Sequence, residues 1–520
     1  MRSSGRWHSA VAPDSSRTPH RLPPVAHAGA LAAESLVAVL AMLFLAAYAY
    51  IAVRRAAYPF DLEWMEGSLV QHVARIRDGL PLYGRPTLAF TPFLYPPLYY
   101  YVSAAAARVT GVGFLPLRLV SIASSGVVFW FLFRLAQRET GRVYAGLLAV
   151  GLFAATYRLG GAWLDLARND SLLLALMMGA LYLMRWREST AGWAGAGALL
   201  ALAALTKQTA VMMAPPLLLY ALLVDWRRAL ILASTFAGLT AIAVAALNSG
   251  THGWFLFYVV RLPGAIQRHA PERPPLWTIP LITALPVAMS LAIATLVAAR
   301  PWRDRRHAFW PLAALSGVGA ALAASLHVGA YDNVWLPAYL SISVLAAMAS
   351  PIICERVQAG YRPAIRLIVA GLAAFQLAAL RYSVAAQIPS AGDVTMARQL
   401  SERLADARGE SFVPYHAFVP TPAGPVMHAH AWAIDDVLRG GDAAAAAALS
   451  GEIHEAFADA RFRLVVRDKV EPWMEPELER TYRFAGAAMR PESLWTRTGY
   501  HTHPRWIYVP SDVEGRRSGR

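Results

Sequence analysis

The sequence predicts an α-helical membrane protein with several spans and a small α/β domain at its C-terminus. Three observations indicate this fold class. Hydrophobic residues make up 57% of the 520 residues and charged residues only 16%. The mean hydropathy is +0.38. Long apolar stretches recur up to residue 380 and then stop, and charge rises from Gly392 onward. Such a composition is typical of chains that cross the bilayer repeatedly.

A polar segment precedes the first apolar stretch. Residues 31–53 are apolar and long enough to cross a hydrocarbon layer of ~30 Å. Residues 1–30 scatter arginines among Ser, Pro and His, and such a segment cannot bury a core. We therefore predict a disordered cytoplasmic tail over residues 1–30, followed by the first span.

Ten further apolar stretches follow in the predicted membrane domain, residues 31–381. They lie at 115–133, 143–157, 171–184, 190–206, 209–224, 229–247, 276–299, 308–326, 334–350 and 364–380. With the first stretch they predict about eleven transmembrane helices. Residues 95–111 are also apolar, but they are short and begin with two prolines. Hydropathy alone leaves their position open.

The distribution of positive charge decides between two topologies. Arginine-rich segments lie between spans at 134–142, 185–188, 225–228, 299–307 and 354–366. All of them face the cytoplasm if residues 95–109 do not cross the membrane, and all face outward if those residues do. The positive-inside rule favours the first topology. It places the loop of residues 54–114, Asp165, Lys207 and the C-terminal domain on the outer side of the plasma membrane.

Residues 382–520 are predicted to form a small extracytoplasmic α/β domain. Periodicity indicates helices at 392–409 and 443–460, and strands at 410–418, 462–468 and 505–510. The single cysteine, Cys354, lies on the predicted cytoplasmic side, so this domain is expected to fold without a disulfide. His416, His428 and His430 fit strand alternation as well as zinc spacing. We expect acceptor recognition or a lid from this domain.

Three carboxylates open the predicted outer loop. Asp61, Glu63 and Glu66 lie in the stretch FDLEWMEG, and the residues after it have apolar side chains at helical spacing up to Leu80. This pattern predicts an amphipathic helix in the membrane interface. The acids then lie at the depth of lipid headgroups. The alternative interpretation is that they only cap the helix, because acids near a helix N-terminus are stabilised by its dipole.

A family resemblance rests on the order of several motifs. The acidic cluster and interfacial helix are followed by Gly79-x-Pro81-x-Tyr83, by Tyr-Pro-Pro-Leu at 95–98, by an arginine opening the next span (Arg118) and by an aspartate opening a later one (Asp170). This order resembles the GT-C membrane glycosyltransferases, and it is most similar to the branch of protein O-mannosyltransferases and the lipid A aminoarabinose transferase. The pattern covers residues 31–380.

The resemblance implies a transferase that takes a sugar from a polyprenyl-phosphate carrier to a lipid, glycan or protein acceptor outside the cytoplasm. In that family the catalytic residue is an Asp of the first outer loop, often in an Asp-Glu pair. Here Met65 precedes Glu66, so Asp61, Glu63 and Glu66 all remain candidates. A carboxylate is needed to accept the proton of the attacking hydroxyl. With one such base and no covalent step, we expect inversion at the sugar carbon.

Five further residues are candidates for substrate binding. Arg118, Arg168 and Lys207 are cations at the predicted outer surface, and an arginine binds phosphate through two parallel hydrogen bonds. Arg118 and Lys207 also fit side chains that snorkel to the interface. The resemblance adds Tyr83 and Asp170 to the expected substrate-binding residues.

Asp165 and Asp170 raise the question of a metal ion. Together with the first-loop acids they supply the oxygen ligands that Mg²⁺ and Mn²⁺ prefer. Asp170 equally fits the N-cap of the span that follows it. The sequence leaves a divalent metal open as a cofactor and indicates no other.

Two other classes of protein compete with the transferase. The net charge is +15, but the arginines are spread among membrane loops, which argues against nucleic-acid binding. A non-enzymatic lipid or polysaccharide transporter or flippase places ionisable groups near the bilayer midplane, whereas here the acids gather at one surface. A scaffold subunit without catalysis is the third interpretation, because Met65 stands where the family usually has Asp.

Overall fold

The computed structural model describes residues 24–267, 279–327, 329–407, 409–440, 442–489 and 495–511. The helices of the membrane region are α1 (Pro24–Ala56), α2 (Glu66–Arg77), α3 (Leu98–Thr110), α4 (Phe114–Thr140), α5 (Val143–Ala155), α6 (Asp170–Trp186), α7 (Thr190–Thr206), α8 (Thr209–Val224), α9 (Trp226–Gly250), α10 (Trp254–Leu256), α11 (Leu262–Gln267), α12 (Pro280–Thr283), α13 (Pro286–Ala299), α14 (Phe309–Ser325), α15 (Leu336–Ala347), α16 (Ala349–Cys354) and α17 (Arg362–Ala379). A π-helical turn, Phe257–Arg261, joins α10 to α11.

A helix lies in each of the eleven predicted apolar stretches, so the α-helical membrane fold is confirmed. Among the described residues, 6 helices are long and apolar enough to cross a membrane. The exact number of spans stays a prediction. Helix α1 begins at Pro24, so the prediction of a disordered tail is wrong for residues 24–30, and residues 1–23 lie outside the described part of the chain.

Close packing around α15 forms the centre of the helical bundle. All of its residues are buried, and it packs against α5, α13 and α14. Small residues let other helices approach closely, as membrane helices require. A Cβ added to Gly151 of α5 would lie 2.2 Å from the Cβ of Ala41 in α1, so only glycine fits there.

The interfacial helix and the ambiguous apolar segment pack together. Helix α2 spans 12 residues, and its apolar side chains are buried against α3 and α4. Helix α3 has 13 residues, which is only about 20 Å of helix at 1.5 Å per residue. It is therefore short for a membrane crossing, in keeping with the predicted topology.

In the C-terminal region, the described residues form two small sheets and four α-helices. Its elements are α18 (Ala391–Asp406), β1 (Ser411–Phe412), β2 (Phe418–Val419), β3 (Val426–Met427), α19 (Ala431–Arg439), α20 (Ala443–Ala458), β4 (Leu464–Arg467), α21 (Glu475–Thr481), β5 (Tyr482–Ala487) and β6 (Trp506–Pro510). The larger sheet has the order β1-β4-β6-β5. Strands β1 and β4 are parallel, and the other neighbours are antiparallel.

The sequence predicted this α/β character but missed several elements. Helices α18 and α20 and strands β1, β4 and β6 lie in the predicted segments. Strand β5, helices α19 and α21, and the β2–β3 pair were not predicted. They are short, and their periodicity is too weak to separate from that of loops.

The C-terminal region packs directly on the first outer loop. The backbone carbonyl of Leu62 accepts hydrogen bonds from the backbone amides of Arg497 and Thr498, at 2.9 and 3.1 Å. The imidazole Nε2 of His430 lies 2.9 Å from the carbonyl oxygen of Trp64. These contacts fix the loop that carries the three acids against the second domain.

Candidate active site

Both carboxylate oxygens of Glu66, the first residue of α2, accept hydrogen bonds from other parts of the protein. Arg118 donates to both of its carboxylate oxygens, from Nε at 3.1 Å and from Nη2 at 2.6 Å. The backbone amides of Leu62 and Ala167 add hydrogen bonds of 2.7 and 2.6 Å. Burial alone would raise the pKa of Glu66, but Arg118 and these two amides hold it below its usual range. This geometry leaves no carboxylate oxygen free for a substrate proton.

The guanidinium group of Arg118 likewise donates hydrogen bonds only to neighbouring groups of the protein. Beyond Glu66 it donates to backbone carbonyls of the chain entering the first loop, those of Arg55, Tyr58 and Phe60. Its side chain is completely buried. The geometry therefore gives Arg118 the task of holding the loop, in contrast to the predicted snorkelling or phosphate contact.

Asp61 lies between α2 and the C-terminal domain. Its Oδ1 accepts a hydrogen bond of 2.8 Å from the amide of Gly67, so it caps the first turn of α2. Its Oδ2 lies 3.2 Å from His416 Nδ1 and accepts a bond of 3.2 Å from Trp495 Nε1. Burial raises the pKa of Asp61 despite these partners.

His416 connects Asp61 to a second carboxylate, that of Asp468. Its Nε2 lies 3.1 Å from Asp468 Oδ2. Burial alone would lower the pKa of His416, but Asp468 and Asp61 together raise it to about 9. The charged imidazolium thus pairs an acid of the first loop with an acid of the C-terminal domain. This role differs from the zinc site that was considered for His416.

Glu63 is the first-loop acid with the weakest contacts. Arg168 Nη1 lies 3.4 and 3.5 Å from its two oxygens, and the amide of Met65 donates to Oε2 at 3.2 Å. Burial raises the pKa of Glu63 to about 8, although Arg168 acts in the opposite direction. Arg168 also donates to the hydroxyl of Tyr95 at 3.1 Å. Glu63 is therefore a buried carboxyl group with a pKa raised to about 8 and only long contacts to its neighbours.

Asp170 and Lys207 form a pair on the membrane side of this group. Lys207 Nζ donates to Asp170 Oδ1 at 2.6 Å, and Asn333 Nδ2 donates to the same oxygen at 3.0 Å. The second oxygen, Oδ2, has no hydrogen-bond partner among the described residues. The structure thus brings together two residues that the sequence singled out separately.

Asp165 lies apart from Asp170 in a buried cluster of its own. Its Oδ2 is 3.1 Å from Arg55 Nε, and its Oδ1 accepts a hydrogen bond of 2.7 Å from the hydroxyl of Tyr157. Because Asp165 and Asp170 each pair with a cation, they do not fit together as ligands of Mg²⁺ or Mn²⁺. Among the described residues, no cluster of three or more His, Cys, Asp or Glu side chains suits a metal.

Tyr83 is buried away from the other candidates. Its hydroxyl donates to the backbone carbonyl of Tyr95 at 2.7 Å, and its ring packs edge-on against Phe255. Tyr83 thus packs the first loop against α10, and its ring centroid also lies 6.4 Å from that of Tyr258 in the π-helical turn.

A cavity of about 690 Å³ lies next to these groups. Apolar residues of α6 to α9, α11 and α14 form most of its walls. Its lining also includes a group of polar side chains, those of Trp64, Arg168, Asp170, Lys207 and Asn333, in which Asp170 contacts Lys207 and Asn333. We call this the polar end of the cavity. It suits an amphipathic ligand with a long apolar part and a charged head.

Sequence reasoning missed two parts of this site. Arg55 gave no signal because a basic residue at the end of a span looks like any interfacial arginine. Trp432 and Asp436 of α19 also line the cavity. The sequence of a short helix in a second domain does not indicate which part of the protein the helix packs against.

The comparisons with known proteins agree with this fold. The family described as Dolichyl-phosphate-mannose-protein mannosyltransferase matches residues 95–254. A search of curated protein sequences finds no match. ArnT from Cupriavidus metallidurans bound to undecaprenyl phosphate has a TM-score of 0.57 at 14% identity, over 91% of this chain and 98% of that chain. ArnT in the apo state has a TM-score of 0.55 at 14% identity, over 90% and 97%.

These findings confirm the resemblance to the GT-C membrane glycosyltransferases. At 14% identity the likeness to ArnT shows the fold, and the family match covers the segment from the end of the first outer loop to α9. Together they support a multi-pass membrane protein whose fold is like that of ArnT.

Proposed function

We propose that this protein transfers a sugar from a polyprenyl-phosphate-linked donor to an acceptor hydroxyl on the outer face of the plasma membrane. One observation carries the proposal: a mostly apolar cavity is also lined by two cations, Arg168 and Lys207, and Arg168 contacts Glu63 of the first loop. The bound molecule of the similar ArnT structure, undecaprenyl phosphate, and the carrier named in the matching family, dolichyl phosphate, are of the same chemical kind.

The cavity has separate places for the two parts of such a donor. Its apolar walls suit a polyprenyl chain, because burying hydrocarbon gains about 25 cal/mol per Å². Arg168 and Lys207 at the polar end suit the phosphate. A departing phosphate is a good leaving group and needs cations more than a proton, and a guanidinium can bind it through two hydrogen bonds.

Glu63 is the best candidate for the general base. A base works best when its pKa lies near the operating pH, and burial raises the pKa of Glu63 to about 8. Glu66 holds short hydrogen bonds on both oxygens, and the oxygens of Asp61 are taken up by Gly67, His416 and Trp495. The neighbours of Glu63 in sequence and space, Trp64 and Arg168, line the cavity. A hydroxyl entering there would lose its proton to Glu63 as the bond between sugar and phosphate breaks.

The remaining features of the reaction follow from this assignment. One base and no covalent intermediate imply inversion at the sugar carbon. The acceptor is a lipid, a glycan or a protein with a free hydroxyl. No step is routed through a metal, because Asp165 and Asp170 are already paired with cations.

A transfer assay with the purified protein tests this function. The protein in lipid nanodiscs is incubated with polyprenyl-phosphate-linked pentoses and hexoses and with an acceptor fraction of envelope lipids, glycans or proteins. We expect release of free polyprenyl phosphate that depends on the acceptor, with the sugar recovered on the acceptor in inverted configuration. The Lys207→Ala variant should weaken donor binding, since a cation facing phosphate acts before the transition state as well. Binding of donors without any release would instead favour a transporter.

A further inference from the structure

One face of helix α19 forms a wall of the cavity, although this helix belongs to the C-terminal domain. Trp432, Asp436 and Arg439 line the cavity, and their spacing of four and three residues places them on one side of a helix. They lie at the cavity together with the polar-end residues of the membrane domain. We call these three residues the α19 face.

Contacts at both ends hold α19 in this position. At its N-terminus, His430 Nδ1 accepts a hydrogen bond of 3.1 Å from the amide of Trp432, while Nε2 of the same ring lies 2.9 Å from the carbonyl oxygen of Trp64. At its C-terminus, a Cβ added to Gly440 would lie 1.8 Å from Leu262 Cδ1 of α11. The helix end therefore touches the membrane domain so closely that only glycine fits.

Several buried polar atoms around the polar end have no hydrogen-bond partner among the described residues. They comprise three indole N–H groups, one guanidinium N–H and one carboxylate oxygen, namely Nε1 of Trp64, Trp163 and Trp432, Nε of Arg168 and Oδ2 of Asp170. All five residues line the cavity. Because folded proteins pair nearly all of their buried polar groups, these atoms fit a ligand that supplies the missing partners.

Aromatic rings surround the same space. Trp64 lies with its ring centroid 6.3 Å from that of Trp432, 6.1 Å from that of Trp163 and 5.6 Å from that of Tyr331. The carboxylate of Asp436 accepts no hydrogen bond from the described residues. An indole offers an apolar face together with one polar N–H. A sugar ring has the matching chemistry, with a face of C–H groups and a rim of hydroxyls.

We infer that the α19 face recognises the sugar ring of the donor, with Trp432 packing on the ring and Asp436 accepting hydrogen bonds from its hydroxyls. This inference rests on the proposed function. In the proposed function, Arg168 and Lys207 bind the phosphate at the polar end of the cavity. The sugar is bonded directly to that phosphate, so it lies next to these two residues. The C-terminal domain is then a determinant of donor specificity.

Binding of two kinds of lipid tests the inference. The purified protein in nanodiscs is titrated with bare polyprenyl phosphate and with a panel of polyprenyl-phosphate-linked sugars, and both Kd values are measured. We expect the wild type to prefer at least one sugar-bearing lipid. Trp432→Ala and Asp436→Asn should weaken binding of that lipid by roughly tenfold or more, as for the loss of a buried hydrogen bond to a charged group. Their Kd for the bare lipid should stay unchanged.

Matched variants separate recognition from folding. Asp459→Asn removes the same charge at an exposed position just after α20 that does not line the cavity, and should leave both Kd values unchanged. Trp432→Phe keeps an aromatic ring but loses the N–H and part of the ring area, so its effect should be smaller than that of Trp432→Ala.

Three outcomes count against the inference. If the Trp432 and Asp436 variants bound both lipids more weakly by the same factor, α19 would have a structural role only. Unchanged binding in both variants, or equal affinity of the wild type for bare and sugar-bearing lipids, would show that the α19 face does not touch the sugar. Failure of the wild type to bind even the bare lipid would contradict the proposed function itself.

Discussion

The two ends of the stretch FDLEWMEG are held by different parts of the molecule. At its C-terminal end, Glu66 is fixed within the membrane domain by Arg118 and the amide of Ala167. At its N-terminal end, Asp61 is fixed by the C-terminal domain through His416 and Trp495. Glu63 lies between these anchors with long contacts to Arg168.

The difference between these partners explains how three similar acids have different roles. A carboxylate with both oxygens filled by short hydrogen bonds stays ionised and holds structure, because the charged form is what those donors stabilise. Buried carboxylates with longer contacts have a raised pKa, as Asp61 and Glu63 do. Of these two, Asp61 is held by His416 and Trp495, whereas Glu63 has only long contacts to Arg168, which lines the cavity.

The largest effect is expected from Glu63→Gln. This variant keeps the shape of the side chain but removes proton acceptance, so turnover at saturating donor should fall by roughly 10²- to 10⁴-fold. The pH dependence of the wild type should agree: the rate rises with pH as Glu63 loses its proton and levels off above about 8. Initial rates of transfer from pH 5 to pH 10 measure both.

Glu66→Gln is the contrasting variant in the same loop. Its rate per folded molecule should stay within about threefold of the wild type, since its oxygens serve only as acceptors for structural donors. A large rate loss in Glu66→Gln or Asp61→Asn, with little change in Glu63→Gln, would reverse the assignment of tasks.

The next effect is the loss of stability in Arg118→Ala. Removing one partner of a buried ion pair leaves the other charge uncompensated, which destabilises a protein by about 3–5 kcal/mol. Here the variant also leaves the loop carbonyls without their donor. The midpoint of unfolding in mixed detergent micelles measures this change. Arg158 is exposed in the turn after α5, and Arg158→Ala should change the free energy of unfolding by no more than about 0.5 kcal/mol.

The smallest effect is the pH-dependent contribution of His416. Its pKa is raised to about 9 by Asp468 and Asp61, above the value of about 6.5 in an unfolded chain. The stabilisation is therefore fully present below about pH 6.5 and is lost as pH rises through about 9. The difference in unfolding midpoint between wild type and His416→Gln should be largest near pH 6 and shrink toward pH 10.

A second histidine gives the control for this pH dependence. His454 is largely exposed and pairs with Glu477 at 2.8 Å, so His454→Gln should change the midpoint little at any pH. A constant difference between wild type and His416→Gln from pH 6 to pH 10 would mean that packing, and not charge, is what His416 contributes.

The sequence by itself determined the class of the fold and the place of the acids. Hydrophobic stretches long enough to cross a bilayer must become helices, because backbone groups have no other partners in lipid. The same rule ends the membrane region near residue 380, where such stretches stop. The acidic stretch at the start of the first loop and the α/β character of the C-terminal domain are equally local patterns, and the structure has both.

Only the tertiary structure decided which acid is held by short hydrogen bonds and which one has only long contacts. Glu66 finds its partners 52 and 101 residues away, in Arg118 and Ala167. Asp61 finds its partner 355 residues away, in His416. All three acids are fully buried, so their tasks depend on how many hydrogen bonds each oxygen receives and on how short these bonds are. Both quantities arise only when distant segments pack together, so no local pattern around Asp61, Glu63 and Glu66 records them.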